Sequence, residues 1–155
     1  MIKYFLGVLV VAGLFIPSVS LKAHCEIPCG IYGDSLRFEF LKEDIRTIEK
    51  SMKKIEKLSG EADKNYNQLV RWIDNKEEHA EKFMVIISQY FMTQRIKLVE
   101  PSDSTNFETY LNKLSLLHQM LVYAMKCKQN IDKTYTVKLI SLVEEFELLY
   151  FNHRH

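Results

Sequence analysis

His24, Cys25 and Cys29 sit together in the stretch His24-Cys25-Glu26-Ile27-Pro28-Cys29-Gly30. A chain that begins at His24 carries a metal chelator in its first two residues: the free amine, the imidazole, the amide nitrogen of Cys25 and its thiol. Amine with amide, amide with sulfur, and amine with imidazole all close unstrained chelate rings. Cys29 supplies a second sulfur if the chain folds back, and Pro28 and Gly30 are residues that favour such a turn. A planar set of two nitrogens and two sulfurs suits Ni(II) or Cu(II), whereas zinc prefers a tetrahedron. An α-amine has a pKa of roughly 7.7–8.0, so a metal can displace its proton near neutrality. While His24 is preceded by a peptide bond, that donor is an amide and the site does not exist in this form.

The residues upstream supply a reason for the amine to be freed. Residues 1–23 show a basic start at Lys3, an apolar run from Tyr4 to Ile16, a break at Pro17, a polar exit through Ser18 and Ser20, and the small Ala23 before the cut. That three-part pattern is a signal peptide. The apolar run is shorter than the ~20 residues a spanning helix needs. The expected organisation is therefore a removed leader over residues 1–23 and one domain over residues 24–155. Export to the periplasm or the extracellular space follows, with no membrane attachment after removal. A cut after Ser20 would leave Leu21-Lys22-Ala23 in front of His24 and keep its nitrogen acylated.

Charge and cysteine content narrow the function classes. Lysine and arginine number 21 against 20 aspartate and glutamate, and the leader takes Lys3 and Lys22 with it, so the mature chain is almost neutral. No basic face for nucleic acid is indicated. Three cysteines, Cys25, Cys29 and Cys127, are too few for a disulfide framework. In an oxidising compartment Cys25 and Cys29 could pair with each other, which is the plainest alternative to metal binding.

The elements that must hold this N-terminus are helical. Leu41, Ile45, Ile48, Met52 and Ile55 recur at steps of four and three and end at Ser59-Gly60. A second stripe, Leu69, Ile73, Ala80, Phe83, Ile87 and Tyr90, predicts a long helix from about Asp63 to about Leu98. Lys76 stands on that seam where an apolar residue is expected, either reaching out to water or facing the end of the assembly near the metal donors. A third helix from near Thr105 has Phe107, Leu111, Leu114, Leu117, Leu121 and Met125 inward. Gln129-Asn130 separates it from a fourth carrying Ile131, Tyr135, Leu139, Leu142, Phe146 and Leu149. Four apolar-striped helices with short connections predict an all-α fold, an antiparallel four-helix bundle with an N-terminal hook. His79 and His118 are left outside the site, and Cys127 reads as a small core residue.

The string His24-Cys25-x-x-Pro28-Cys29-Gly30-x-Tyr32, followed by four helices, resembles the N-terminal hook of the nickel-containing superoxide dismutases over essentially all of residues 24–155. The resemblance implies a homohexamer of four-helix bundles that disproportionates superoxide to oxygen and hydrogen peroxide, cycling a nickel ion between Ni(II) and Ni(III). By position, the implied ligands are the His24 amine, the Cys25 amide, the Cys25 and Cys29 sulfurs and, axially, the His24 imidazole. Tyr32 matches the tyrosine at the substrate entrance, and Tyr90, in the pair Tyr90-Phe91, matches the one that hydrogen-bonds it. Glu39, in Arg37-Phe38-Glu39, is similar to the carboxylate that orients the imidazole, although the spacing is one residue short.

The chain also departs from that pattern. Glu26 replaces the more usual Asp, and Gly33-Asp34 follows Tyr32 where an acid and a proline are common. The arginine partner of the orienting glutamate falls near Asn75, Lys76 or Glu77 without a clear match. The competing function is a secreted copper- or nickel-binding helical bundle without catalysis, which superoxide consumption by the metal-loaded protein distinguishes.

Overall fold

A computed structural model describes residues 32–152; the metal donors at residues 24–29 and the proposed leader lie outside the described residues. Helix α1 spans Asp34–Gly60, α2 spans Tyr66–Val85 and continues as a π-helix over Ile86–Arg95, α3 spans Ser104–Gln129 and α4 spans Thr134–Asn152. No strand occurs among the described residues. α1 lies along α2, α3 along α4, α2 against α3 and α1 against α4.

Local chemistry starts three of the four helices where the sequence changes character. The Asn65 side chain accepts from the Gln68 backbone amide at 3.1 Å and opens α2. Asp103 accepts from the backbone amide and side-chain amide of Asn106 at 3.4 and 2.8 Å and opens α3. Asp132 receives the Thr134 amide and hydroxyl at 2.9 and 2.8 Å just before α4. These side chains satisfy amide donors that the first turn of a helix leaves without partners.

The interior joins Phe38, Leu41, Ile45, Ile48 and Met52 of α1 to Ala80, Phe83, Ile87 and Phe91, to Leu117, Met120 and Ala124, and to Leu139, Leu142 and Phe146. The stripe of α3 turns out rotated from the sequence reading, whereas that of α2 buries Ala80, Phe83, Ile87 and Tyr90 as expected and departs from it only toward its start. On α3 the buried line is Leu116, Leu117, Met120, Ala124 and Cys127, while Leu111 and Met125 are exposed; this helix is apolar on several sides, so periodicity alone did not select the inner one. On α2 Ile73 is exposed and Lys76 takes the inward position at 3% exposure. Ile131 precedes α4 and is exposed, and Tyr150 is buried near the end of that helix.

The second helix also ends earlier than expected and with a different winding. From Ile86 its bonds run five residues back: the Ile96 amide to the Phe91 carbonyl at 2.9 Å, the Thr93 hydroxyl to Ser88 at 2.7 Å and the Gln94 side-chain amide to Gln89 at 3.1 Å. Residues five apart in an α-helix point about 140° away from each other. The π winding, with its bonds running from i to i+5, closes much of that angle, and Tyr90 and Arg95 both reach the Asp34 carboxylate.

Lys76 neither reaches water nor approaches the start of α1. Its ammonium donates to the Cys127 carbonyl at 2.6 Å and the Lys128 carbonyl at 2.5 Å, two acceptors of the last turn of α3 that the helix itself cannot satisfy. Burial pushes the Lys76 pKa down and that of the neighbouring Cys127 thiol up to about 12, so the thiol stays protonated and inert. Lys76→Met should keep the apolar stem but strand both carbonyls, lowering stability by about 1–3 kcal/mol; a denaturant midpoint equal to the parent's would contradict the capping role.

Candidate metal-entry site

Asp34, the first residue of α1, is the centre of the end of the molecule at which the described residues begin. Its side chain is 2% exposed and receives four bonds from the described residues Tyr90, Arg95 and Tyr150. Tyr90 Oη donates to Oδ1 at 2.5 Å, Arg95 Nε to Oδ1 at 2.9 Å, Arg95 Nη2 to Oδ2 at 2.8 Å and Tyr150 Oη to Oδ2 at 3.0 Å. Burial alone would raise the carboxyl's pKa; the bonds from Arg95, Tyr90 and Tyr150 outweigh it and hold the group below the usual carboxylate range. Three elements meet there, because Arg95 closes the π-helix and Tyr150 lies in the last turns of α4.

The two tyrosines picked out from the sequence are brought together, but not hydroxyl to hydroxyl. Tyr32 and Tyr90 meet edge to face with centroids 6.2 Å apart, while the Tyr90 hydroxyl is spent on Asp34. Burial and that bond push the Tyr90 pKa up to about 12. Tyr32 is 47% exposed, and the Arg95 guanidinium lies 4.0 Å from its ring centroid. Arg37 covers the other tyrosine, 4.9 Å from the Tyr90 centroid. Beneath them Phe38, Phe91, Phe146 and Tyr150 pack with centroids 4.9–5.7 Å apart, a rigid apolar floor.

Glu39 is not in this cluster. It stands on the outer side of α1 with 62% of its side chain exposed, 3.3 Å from Lys42. Glu26, His24, Cys25 and Cys29 are outside the described residues. Of the positions considered for the missing arginine, Asn75 donates to Ser51 Oγ at 2.9 Å and Lys76 caps α3. His79 bonds Asp44 at 2.7 Å and His118 is exposed. Asp34, Arg95 and Tyr150 escaped sequence reading, since an acid opening a helix is commonplace and partners 61 and 116 residues away share no spacing with it.

Around this end lie cations that no described carboxylate holds. Arg37 and Lys113 form no ion pair among the described residues, and burial lowers the Lys113 pKa. Lys113, Arg95, Lys97 and Tyr150, together with the carboxylates Glu100 and Asp103, line a cleft of about 800 Å³. Among the described residues there is no group of three or more His, Cys, Asp or Glu side chains able to hold a metal. With its amide nitrogen and the two thiols of Cys25 and Cys29, the stretch 24–29 would fit nickel, since anionic sulfur and a deprotonated amide stabilise the metal's higher oxidation state.

The depressed Asp34 pKa fixes a sign. A carboxyl that is more acidic folded than unfolded stabilises the protein above about pH 3.9, the unperturbed value, and that contribution disappears as pH falls through the lower folded value. Asp34→Asn should therefore cost about 3 kcal/mol at neutrality, and its deficit should shrink on going from about pH 5 to pH 2. Asp44, raised by burial, acts oppositely in both proteins and cancels in the difference. A constant deficit across that range of thermal or denaturant unfolding would contradict the buried ion pair.

Comparison with known proteins gives these features a family. The family model described as nickel-containing superoxide dismutase matches residues 19–154. The chain is 24% identical over 142 residues to the Streptomyces coelicolor protein named Superoxide dismutase (Ni), covering 89% of this chain and 93% of that relative. No solved structure matches the chain. With the match running through the donor stretch and all four helices, the chain belongs to the nickel-containing superoxide dismutase family, enzymes that use nickel and act on superoxide.

Proposed function

We propose that the mature enzyme begins at His24 and holds its nickel through the His24 amine and imidazole, the Cys25 amide and the Cys25 and Cys29 sulfurs. When bound, nickel supplies the one-electron couple that both oxidises and reduces superoxide. The reading is carried by a tether: Cys29 is three residues before Tyr32, so its Cα lies within about 11 Å of that of Tyr32, at the buried end organised by Asp34. Tyr32, to which that stretch is joined, lies beside Tyr90, Arg95 and Arg37, which supports the reading.

In this reading Tyr32 is the gate. Its hydroxyl bonds to no described residue, so it is free to hold water or a proton at the entrance. Disproportionation consumes two protons for each hydrogen peroxide formed, and Tyr90 is unsuited to deliver one because its own is shared with Asp34. Arg37 and Lys113, in no ion pair with a described carboxylate, would favour the approach of a small anion. Glu26 would contact the tyrosines from the hook. Glu39 would reach the imidazole only if the N-terminus lies back along the outer side of α1. The helices would form an antiparallel four-helix bundle and the subunits a homohexamer, exported after loss of residues 1–23. Family membership disfavours a metal-binding bundle without catalysis.

Placing one alanine before His24 should abolish superoxide consumption while helical circular dichroism is unchanged, because the terminal amine moves out of chelating reach; full activity would overturn the ligand set. Tyr32→Phe should retain nickel and lower turnover by about tenfold, within the range general acid–base groups supply. Loss of nickel itself would show that Tyr32 does not serve as the gate.

A further inference from the structure

We propose that Asp34 and Arg95 are the positioning residues of the entrance, with Arg95 held by Asp34 at one edge and holding the ring of Tyr32 against its flat face. The role goes beyond stapling α1 to α4. The Arg95 fork uses Nε and Nη2 on the two Asp34 oxygens, which fixes the guanidinium plane, and Tyr150 Oη takes a further bond from Nε at 3.1 Å. With its edge committed, the plane is left to Tyr32, 4.0 Å from the ring centroid. Tyr90 meets the same ring edge to face with centroids 6.2 Å apart, and Tyr90 is itself oriented by its bond to Asp34 Oδ1.

One carboxylate thereby orients both tyrosines, but by unlike means. Tyr90 is fixed through its hydroxyl, so it contributes a wall. Tyr32 is held through its ring, and its hydroxyl, bonded to no described residue, is proposed to serve substrate, water or a proton. Such a device needs arginine: lysine can neutralise Asp34 but has neither a fork nor a face. It also needs Tyr90 and Arg95, five residues apart, on the same side of their helix, which the π winding supplies. π segments of this kind are frequent at functional sites.

This rests on Tyr32 being the gate, and the test separates the two. Arg95→Lys keeps the charge beside Asp34, so it carries the test even if Asp34→Asn loosens the start of α1. In the full chain with fluorotyrosine at position 32, Arg95→Lys should move the fluorine resonance toward that of free fluorotyrosine without loss of helical signal; an unmoved resonance overturns the proposal. In the nickel-loaded enzyme Arg95→Lys should lower kcat/KM about tenfold, inside the ~100-fold that a misplaced group can cost. It should add no further loss in a Tyr32→Ala background, and additive losses would reduce Arg95 to a structural tie. A nickel-loaded parent that consumes no superoxide would sink the catalytic reading alone, and the fluorine resonance would still decide the positioning one.

Discussion

The buried carboxylate of Asp34 is the point at which three chain segments become one surface. Taking a carboxylate and a guanidinium out of water costs several kcal/mol per ion, and an isolated pair would barely recover it. Here the cost is met by saturation: both oxygens accept two bonds, from Arg95, Tyr90 and Tyr150. Charge-assisted bonds of this forked kind are the strong ones. Removing any partner leaves the others buried and short of bonds, so the cluster is all or nothing, and its geometry is correspondingly exact.

That geometry depends on the helix ends more than on the helix middles. The lower half of the structure is ordinary apolar packing, with Lys76 closing the last turn of α3 from the side. At the upper end the same helices finish in an aromatic layer around Phe38 and Phe91, then in a polar layer around Asp34. A polar cluster resting on a packed aromatic floor has few ways to rearrange. A short N-terminal segment leaving Tyr32 therefore starts from a fixed point, which matters for a ligand set made almost wholly from backbone and side-chain atoms of a few residues.

How far this was legible in the sequence follows from the range of each interaction. The stripe of α1 was readable because its apolar residues occupy one side only, and Tyr32 and Tyr90 were reachable through a short motif and a local pair. α3 was misread because Leu111, Leu114, Leu121 and Met125 make a second apolar line beside the buried one. Lys76 looked like an interruption of a stripe, and only the position of the end of α3, some fifty residues on, gives it a partner. The π winding leaves no trace in periodicity, since the stripe Phe83, Ile87, Tyr90 continues into it without a break. Asp34, Arg95 and Tyr150 each have a routine local explanation, and their meeting is a property of the tertiary arrangement.

A near-neutral chain that acts on an anion must obtain its attraction from placement. Arg95 adds little net charge, because Asp34 cancels it. Arg37 and Lys113 are different: neither faces a described carboxylate within ion-pair distance, and Lys113 is half-buried, where screening by salt is weaker. Their field is local to the tyrosine end and falls off along the body, where pairs such as Lys53 with Glu49 and Lys82 with Glu78 neutralise each other. The division of the charged residues into a compensated buried pair that fixes shape and uncompensated cations that set potential lets one end of a neutral protein be both rigid and attractive to superoxide.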